Sequence, residues 1–273
     1  MTRSLKHSFR SAVEATGYQV RKTDVYSSQR LRHRLLFSYL PIDLVLDVGA
    51  NTGQFAQQCR KAGYHDEILS FEPSAAAHAT LLQSAASDPH WSVADRMALG
   101  ASHGEADFNI AANSHSSSIL PMLDAHLTAN PASRYIQKEK VPLRRLDDIL
   151  PATPARRIFL KLDVQGYESQ VLAGATQTLT HTLALQLELS VVPLYEGQTL
   201  MPQMIAELAA NGFSLWDLEP NFRDPATGRL LEVDAIFTRP TIHELSNSPQ
   251  VPANSYITQK SHTNSSTKSR QSN

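Results

Sequence analysis

Short apolar runs alternate with stretches of helical periodicity through the central part of the chain. The runs are rich in Val, Ile, Leu and Phe and end at Gly, Pro or acidic residues, which is typical of strands buried on both faces. They predict strands over residues 44–49, 68–72, 91–99, 106–111, 158–163, 183–189, 213–218 and 233–239. The stretches between them predict helices over residues 52–62, 75–86, 167–179 and 200–210.

This order of elements predicts one α/β domain, because strands that alternate with helices form a parallel sheet covered on both faces. Residues 106–111 follow Gly104 and are interpreted as the return limb of a hairpin. The last two predicted strands also lack a helix between them and should pair as a hairpin. The expected fold is a single Rossmann-like, doubly wound domain. Its seven-stranded sheet is mostly parallel, with one antiparallel strand near the C-terminus.

Charge divides the 273-residue chain into three parts, although the total is only -1. Residues 1–40 hold eight basic and two acidic residues and predict a basic N-terminal helical arm, with a helix over residues 31–40 that caps the domain. Residues 41–240 carry a net charge of −9 and form the predicted domain. Residues 241–273 are almost wholly polar near their end, so we expect a disordered tail.

Composition excludes several classes of protein. The single Cys59 excludes a disulfide framework and a site with several thiolates. The acidic domain argues against a nucleic-acid partner. We expect no membrane span, because no apolar run approaches about 20 residues, and no cleavable leader is evident. These features predict a cytoplasmic protein. The scattered histidines give no support for a metal site.

The most informative segment is the glycine-rich stretch at residues 47–53, between the first predicted strand and helix. Ligands of open α/β sheets bind at the carboxyl ends of the strands. Gly49 allows a sharp turn there, and Gly53 allows a close approach to the helix start. Glu72 ends the second predicted strand, about 20 residues further on, where an acid can accept hydrogen bonds from ribose hydroxyls.

These segments predict a nucleoside-containing cofactor and leave NAD and S-adenosylmethionine open. The glycines have Gly-x-x-x-Gly spacing, not the Gly-x-Gly-x-x-Gly pattern that seats a pyrophosphate on a helix N-terminus. A carboxylate at Asp47 would repel a pyrophosphate and attract a cationic amino-acid end. No Gly-x-x-x-x-Gly-Lys-Ser/Thr phosphate loop occurs in the sequence. The pattern therefore favours S-adenosylmethionine.

An ordered series of motifs over residues 42–239 resembles the FkbM family of class I S-adenosylmethionine-dependent methyltransferases. The series comprises Asp47-Val48-Gly49-Ala50-Asn51-Thr52-Gly53, Phe71-Glu72-Pro73, Ala98-Leu99-Gly100, Ser116-Ser117-Ser118, Val141-Pro142-Leu143-Arg144-Arg145-Leu146-Asp147, Leu160-Lys161-Leu162-Asp163-Val164-Gln165-Gly166-Tyr167-Glu168, Val171-Leu172-Ala173-Gly174-Ala175, Pro193-Leu194-Tyr195-Glu196-Gly197 and Asp234-Ala235-Ile236-Phe237. The chain departs from the family at Gln165, where the family usually has Glu.

The resemblance implies a role for each matching residue. Asp47, Gly49, Asn51 and Gly53 would line the methionine part of the cofactor, and Glu72 would hold the ribose. Residues near Met97 and Ala98 would border the adenine. Asp163 would lie at the end of the fourth strand of the family's fold, facing the methyl group.

The remaining candidates concern the methyl acceptor. Asp163 is the first candidate to orient or deprotonate a hydroxyl, and His115 is the second, because imidazole titrates near neutral pH. Glu168 is interpreted as a helix cap or as support for a base, and Glu188 as an even choice between site and structure. Tyr195 and its neighbours are expected to shape the acceptor pocket.

The resemblance implies O-methylation of a hydroxyl on a sugar, glycan or secondary metabolite. Two alternatives stay open from the sequence. One is an NAD-linked oxidoreductase on a Rossmann-like fold, and the other is a non-catalytic relative that binds the cofactor.

Overall fold

A computed structural model describes residues 3–150 and 156–239 of the protein. The tail predicted at residues 241–273 lies outside the described residues. The helices are α1 (Arg3–Glu14), α2 (Gln29–Tyr39), α3 (Gln54–Ala62), α4 (Ala75–Ala85), α5 (Asp124–Ala129), α6 (Leu146–Ile149), α7 (Glu168–Ala173), α8 (Thr176–Thr180) and α9 (Met201–Ala210). The strands are β1 (Leu44–Val48), β2 (Glu67–Phe71), β3 (Trp91–Val93), β4 (Ala98–Leu99), β5 (Gly104–Ala111), β6 (Tyr135–Arg144), β7 (Ile158–Leu162), β8 (Thr182–Ser190), β9 (Ser214–Arg223) and β10 (Leu230–Thr238).

Seven strands form the main sheet in the order β3-β2-β1-β7-β8-β10-β9. Strands β3, β2, β1, β7 and β8 pair in parallel, and β10 is antiparallel to both of its neighbours. The predicted doubly wound fold with one antiparallel strand near the C-terminus is therefore confirmed. The strand order reverses between β1 and β7, so the carboxyl ends of these two strands border the crevice where such folds bind ligands.

A second, three-stranded sheet corrects the prediction for residues 91–111. Its order is β4-β6-β5, with β5 and β6 antiparallel and β4 and β6 parallel. The predicted strand over residues 91–99 is split: β3 pairs with β2 as far as Val93, and β4 pairs with β6 in the second sheet. Residues 106–111 pair with β6, and the predicted hairpin is wrong. Only Val141 and Leu143 of strand β6 are buried, and Gln137, Lys138, Glu139 and Lys140 precede them, so the strand has little apolar periodicity.

The two faces of the main sheet have separate cores. One face packs against α6, α7 and α9 through side chains such as Leu146, Val171 and Met204. The other face packs against α2, α3 and α4 through Leu36, Phe55, Cys59 and Leu81. The predicted helix over residues 167–179 is two helices, α7 and α8. It breaks at Gly174, where a Cβ atom would lie 2.0 Å from the carbonyl oxygen of Gly100.

Helix α2 lies on the second face of the sheet beside strands that carry inward-facing polar groups. His33 is buried and its Nε2 lies 2.9 Å from Gln186 Oε1 on β8. Arg32 donates a 2.6 Å hydrogen bond to Asp217 on β9 and forms a second ion pair with Glu219. These contacts attach α2 to the β8–β10–β9 end of the sheet. Among residues 3–150 and 156–239, no helix has the length and apolarity to traverse a bilayer.

Candidate active site

The turn that follows β1 brings the ends of β1 and β7 into contact. Gly49 has φ +75°, and a Cβ atom there would lie 1.9 Å from the carbonyl oxygen of Asp163. The Asp163 amide donates to the carbonyl oxygen of Val48 at 3.1 Å. Asn51 also has a positive φ of 48°. Only glycine fits the first of these positions, so the sequence of the turn determines how closely the two strand ends approach.

Glu72 lies directly after β2, and backbone amides hold both of its carboxylate oxygens. Its Oε2 accepts from the Asn51 amide at 2.8 Å, and its Oε1 accepts from the Ser74 amide at 2.8 Å. The residue is only 5% exposed. Burial raises the pKa of Glu72 to about 7, against the opposing effect of these amides. Each oxygen keeps a second lone pair for a hydroxyl group in the adjacent cavity.

A cavity of about 360 Å³ lies over the carboxyl ends of β1, β2 and β7. Its wall includes most of the residues predicted to bind cofactor or act in catalysis, namely Gly49, Asn51, Glu72, Ala98, His115 and Asp163. This volume lies within the range of small-molecule sites. The structure therefore brings these residues of distant sequence position to one site.

Asp47 and Gly53, also expected to contact cofactor, are not among the residues that line this cavity. Asp47 is fully buried on the α2 and α3 face of β1, where Ser70 Oγ donates to its carboxylate at 3.4 Å. Gly53 begins α3, and a Cβ atom there would lie 2.5 Å from the Trp91 ring. Asp47 thus supports the cavity wall without lining it, and the lack of a side chain at Gly53 allows α3 to pack against β3.

The cavity wall suits the parts of S-adenosylmethionine. Asn51 Oδ1 is buried and has no hydrogen-bond partner among residues 3–150 and 156–239, so it is available to accept from an ammonium group. Glu72 offers its lone pairs to ribose hydroxyls. An apolar section of the wall fits a purine ring and consists of Phe71, Met97, Ala98, Leu99 and Phe108. The residues present therefore fit the cofactor that the sequence predicts.

Lys161 connects the two carboxylates at the end of the sheet. Its Nζ lies 3.2 Å from Asp163 Oδ2, 3.5 Å from Asp47 Oδ1 and 3.3 Å from the carbonyl oxygen of Gly49. The ammonium also lies over the Phe55 ring, 5.6 Å from its centroid. Burial lowers the pKa of Lys161, but the two carboxylates outweigh burial and hold it above the ordinary value. Lys161 therefore stays charged inside the protein.

Asp163 combines access to the cavity with strong stabilisation of its charged form. Its side chain is 37% exposed, and Gln165 Nε2 donates to its Oδ1 at 3.0 Å. Burial raises the pKa of Asp163, but the Lys161 ammonium and the hydrogen bonds from Gln165 and Lys161 outweigh it and hold the pKa below the ordinary value. The group is thus an ionised carboxylate whose free lone pairs face the cavity.

Gln165 links four parts of the site. Besides Asp163, its Nε2 donates to Glu188 on β8, and its Oε1 accepts from the buried Tyr195 hydroxyl at 2.5 Å. Its carbonyl oxygen accepts from Ser118 Oγ at 2.7 Å. An amide suits this position because it donates to two carboxylates and accepts from a hydroxyl. A glutamate would instead place a third carboxylate between them. Tyr195 therefore acts through Gln165 and is not part of the cavity wall.

His115 and the neighbouring serines lie at the open side of the cavity. His115 is exposed and its Nδ1 lies 3.5 Å from Asn51 Nδ2. Ser114 and Ser117 line the cavity with it. Glu168 has a different place, since its Oε1 accepts from the Val164 and Gly166 amides at 3.2 and 3.3 Å. His115 can therefore contact a ligand, and Glu168 shapes the turn after β7.

The wall between α2, α3 and strands β8 to β10 is lined by carboxamides and one carboxylate: Gln29, Gln54, Gln58, Gln186, Asn221 and Asp234. Gln29 donates a hydrogen bond to Asp234, and burial together with Asp163 raises the pKa of Asp234 to about 6. Sequence reasoning missed this wall and Lys161. The sequence did hold a signal for them, since polar residues such as Lys161 and Gln186 occur within strands that are otherwise apolar.

We expect the free energy of unfolding to fall as pH rises from about 5 to about 8. Burial raises the pKa of Glu72 to about 7, Glu168 to about 7, Glu232 to about 8 and Asp234 to about 6. These groups hold protons in the folded chain at pH values where the unfolded chain has lost them. Each unit of such a pKa rise is worth about 1.4 kcal/mol.

Thermal unfolding midpoints recorded across this pH range test the expectation. The midpoint should be lower at pH 8 than at pH 5, although burial lowers the pKa values of His33 and His126 and so opposes the decrease below about pH 6.5. Glu72→Gln should flatten the decrease because it removes one of the contributing titrations. A midpoint that rises over the same range would contradict the burial of these carboxyl groups.

The glycine-dependent turn, the buried acid after β2 and the carboxylate after β7 define a Rossmann-like S-adenosylmethionine-dependent methyltransferase. Residues 47–215 match the family described as Methyltransferase FkbM domain, and the chain belongs to that family. The 2-O-methyltransferase NoeI of Sinorhizobium fredii (strain NBRC 101917 / NGR234) is 30% identical over 180 residues, which cover 61% of this chain and 72% of that protein. Together these findings support methyl transfer to oxygen with S-adenosylmethionine as the cofactor.

Two solved structures that match this chain have low sequence identity to it. A TehB-like SAM-dependent methyltransferase from Corynebacterium glutamicum is 12% identical, with a TM-score of 0.38 and coverage of 87% of this chain and 98% of that one. The 1,6-didemethyltoxoflavin-N1-methyltransferase of Burkholderia thailandensis is 11% identical, with a TM-score of 0.41 and coverage of 87% and 88%.

Proposed function

We propose that this protein methylates a hydroxyl group of a neutral sugar unit and that Asp163 contacts the acceptor. The observation that carries the proposal is the wall lined by five carboxamides and Asp234 beside the Asp163 carboxylate. Carboxamides donate and accept hydrogen bonds, as sugar hydroxyls do. An anionic acceptor would meet Asp163 and Asp234, and among the described residues that line the cavity Lys161 is already paired with two carboxylates.

The cofactor would be held by residues on the β1 and β2 side of the cavity. Glu72 would accept from the ribose hydroxyls, Asn51 Oδ1 from the amino group, and the apolar section near Met97 and Ala98 would border the adenine. S-adenosylmethionine supplies a methyl group on a sulfonium, which is already an activated leaving group. The protein's main task is then to align the acceptor oxygen and to remove its proton.

Asp163 is suited to this task despite its lowered pKa. As a hydroxyl oxygen forms a bond to carbon it gains positive charge, and its proton becomes strongly acidic. A carboxylate that is ionised throughout can therefore accept that proton late in the reaction. Hydrogen bonds from Lys161 and Gln165 fix the orientation of the carboxylate. His115, on the exposed side, is the second candidate for the same proton.

The relative from Sinorhizobium fredii supports oxygen as the acceptor atom, since it is described as a 2-O-methyltransferase. The test is a screen of product mass with purified protein and S-adenosylmethionine. One set of acceptors would be neutral oligosaccharides, and a matched set would carry a uronic acid in place of one neutral sugar. We expect a gain of one methyl group on neutral sugars only. Methylation confined to the acidic set or to amines would refute the proposal.

Glu72→Gln should weaken S-adenosylmethionine binding about 10- to 100-fold, because a hydrogen bond to a charged group contributes about 1.5–3 kcal/mol. The amide places an N–H group against a backbone amide and loses one acceptor for ribose. Isothermal titration calorimetry measures the change. The matched control is Glu67→Gln at the other end of β2, where the side chain is 42% exposed. Equal affinities for the two variants would contradict the assignment of Glu72.

A further inference from the structure

The leading segment, residues 3–28, combines apolar and basic positions in a pattern that the active site does not use. On α1, Phe9 and Val13 are four residues apart and therefore share one side of the helix. Arg10 follows Phe9 and lies about 100° around the helix axis from it. A helix with an apolar stripe and a basic flank is typical of peptides that lie in a membrane interface.

Five large apolar side chains of this segment are exposed on the structure. Phe9 is 54% exposed, Tyr18 is 74% exposed and Tyr26 is 92% exposed. Val20 and Val25 are also more than one third exposed. By contrast, the core-facing positions of α2 are almost fully buried, as at Leu36 with 1% exposure. The leading segment thus presents aromatic and aliphatic groups to solvent, next to cations.

We propose that the leading segment binds the surface of membranes that contain anionic lipids, with the apolar side of α1 inserted among the headgroups. Charge supports this partner: residues 3–28 hold five basic and two acidic residues, a net charge of +3, whereas residues 41–240 carry −9. An anionic surface would repel the domain and attract only this segment. A nucleic acid would use the cations but would leave Phe9 and Tyr26 in water, so the combination favours lipid.

The attachment would keep the active site close to the lipid surface. The segment ends at Ser28, whose side chain accepts from the Leu31 amide and caps α2. The next residue, Gln29, is on the wall of the cavity. The inference does not depend on the acceptor or on catalysis, so it stands or fails separately from the proposed function.

Sedimentation of the full chain with vesicles tests the proposal. One vesicle contains phosphatidylcholine and phosphatidylglycerol in equal parts, and the other contains phosphatidylcholine alone. We expect binding to the mixed vesicles, weak binding to the neutral ones, and a decrease as salt is raised. Arg10→Gln should weaken binding about fivefold, because each cation near an anionic surface contributes about that factor. Phe9→Asp should weaken binding about tenfold or more.

Two matched variants separate membrane contact from general effects. Phe9→Leu keeps an apolar side chain and should retain binding. Ile136→Asp replaces an apolar side chain that is 60% exposed on β6 and should leave binding unchanged. Calorimetry with S-adenosylmethionine should show the same affinity for all four variants, which confirms that each is folded.

Three results would overturn the proposal. The first is that the full chain does not sediment with the mixed vesicles. The second is that Phe9→Asp binds as well as the unaltered protein. The third is that the protein binds RNA or duplex DNA with an affinity lowered by Arg10→Gln and unaffected by Phe9→Asp, which would assign the segment to a nucleic acid.

Discussion

Asp163→Asn should lower kcat for methyl transfer by about 10²- to 10⁴-fold, the range expected for loss of a positioned proton acceptor. The amide has nearly the same shape and can still accept from Lys161 or Gln165, so the turn after β7 should keep its structure. It cannot take a proton from the acceptor hydroxyl. Calorimetry should show an S-adenosylmethionine affinity close to that of the unaltered protein, because Glu72 and Asn51 remain in place.

Steady-state kinetics on Asp163→Asn, with Asp107→Asn as the control, decide the role of this carboxylate. Asp107 is paired with Lys140 on the surface, and its side chain is 58% exposed. The control should behave as the unaltered protein. If Asp163→Asn keeps its kcat, then Asp163 does not take the proton, and His115 becomes the first candidate. If it instead loses the cofactor, Asp163 binds S-adenosylmethionine and not the acceptor.

Lys161→Met should lower the free energy of unfolding by about 3–5 kcal/mol, the cost of leaving one partner of a buried ion pair without the other. Asp47 is fully buried, and Lys161 is the cation next to it. Without the ammonium, burial would raise the pKa of Asp47 further, and folding would require that its carboxyl take up a proton. The variant should therefore be more stable at acidic pH than at neutral pH. Its Asp163 would also lose the group that keeps it ionised.

Urea unfolding of Lys161→Met and of Lys140→Met measures this difference. Lys140 and Asp107 form an exposed pair, with side chains 73% and 58% exposed, so the control should lose about 1 kcal/mol or less. The double variant Asp47→Asn with Lys161→Met should recover much of the lost stability, since neither charge of this buried pair remains. A Lys161→Met protein as stable as the Lys140→Met control would contradict the buried ion pair.

The main sheet was predictable because most of its strands are short apolar runs that can be recognised from the local sequence. Strands β1, β7 and β8 are apolar on both faces, and the helices between them end at Gly63 or begin after Ser74. The second sheet was not predictable in the same way. Strand β6 is largely exposed, and its partners β4 and β5 are separated from it by more than twenty residues. Pairing over that distance is decided by packing, which leaves little trace in local periodicity.

Some residues of the candidate site were predictable from the sequence, and others were not. Gly49, Asn51 and Glu72 follow the carboxyl ends of β1 and β2 and line one cavity. A sequence motif identifies them, and the carboxyl ends of parallel strands lie at the same edge of a sheet, so their proximity was predictable. The place of the Asp47 side chain depends on which face of β1 it lies on, and a motif does not give that face. In the structure the face is covered by α2 and α3. Asn221 and Gln29 line the cavity from β9, the edge strand that pairs with β10, and from the start of α2. No local pattern predicts that contact.

Transfer of an isotopically labelled methyl group tests directly whether this protein methylates a hydroxyl group of a neutral sugar. The protein would be incubated with S-adenosylmethionine labelled at the methyl carbon and with a neutral oligosaccharide, and the product examined by nuclear magnetic resonance. We expect a labelled methyl ether whose carbon correlates with a proton of the sugar ring. Label found on nitrogen, carbon or sulfur, or no label on any sugar while S-adenosylmethionine binds normally, would contradict it.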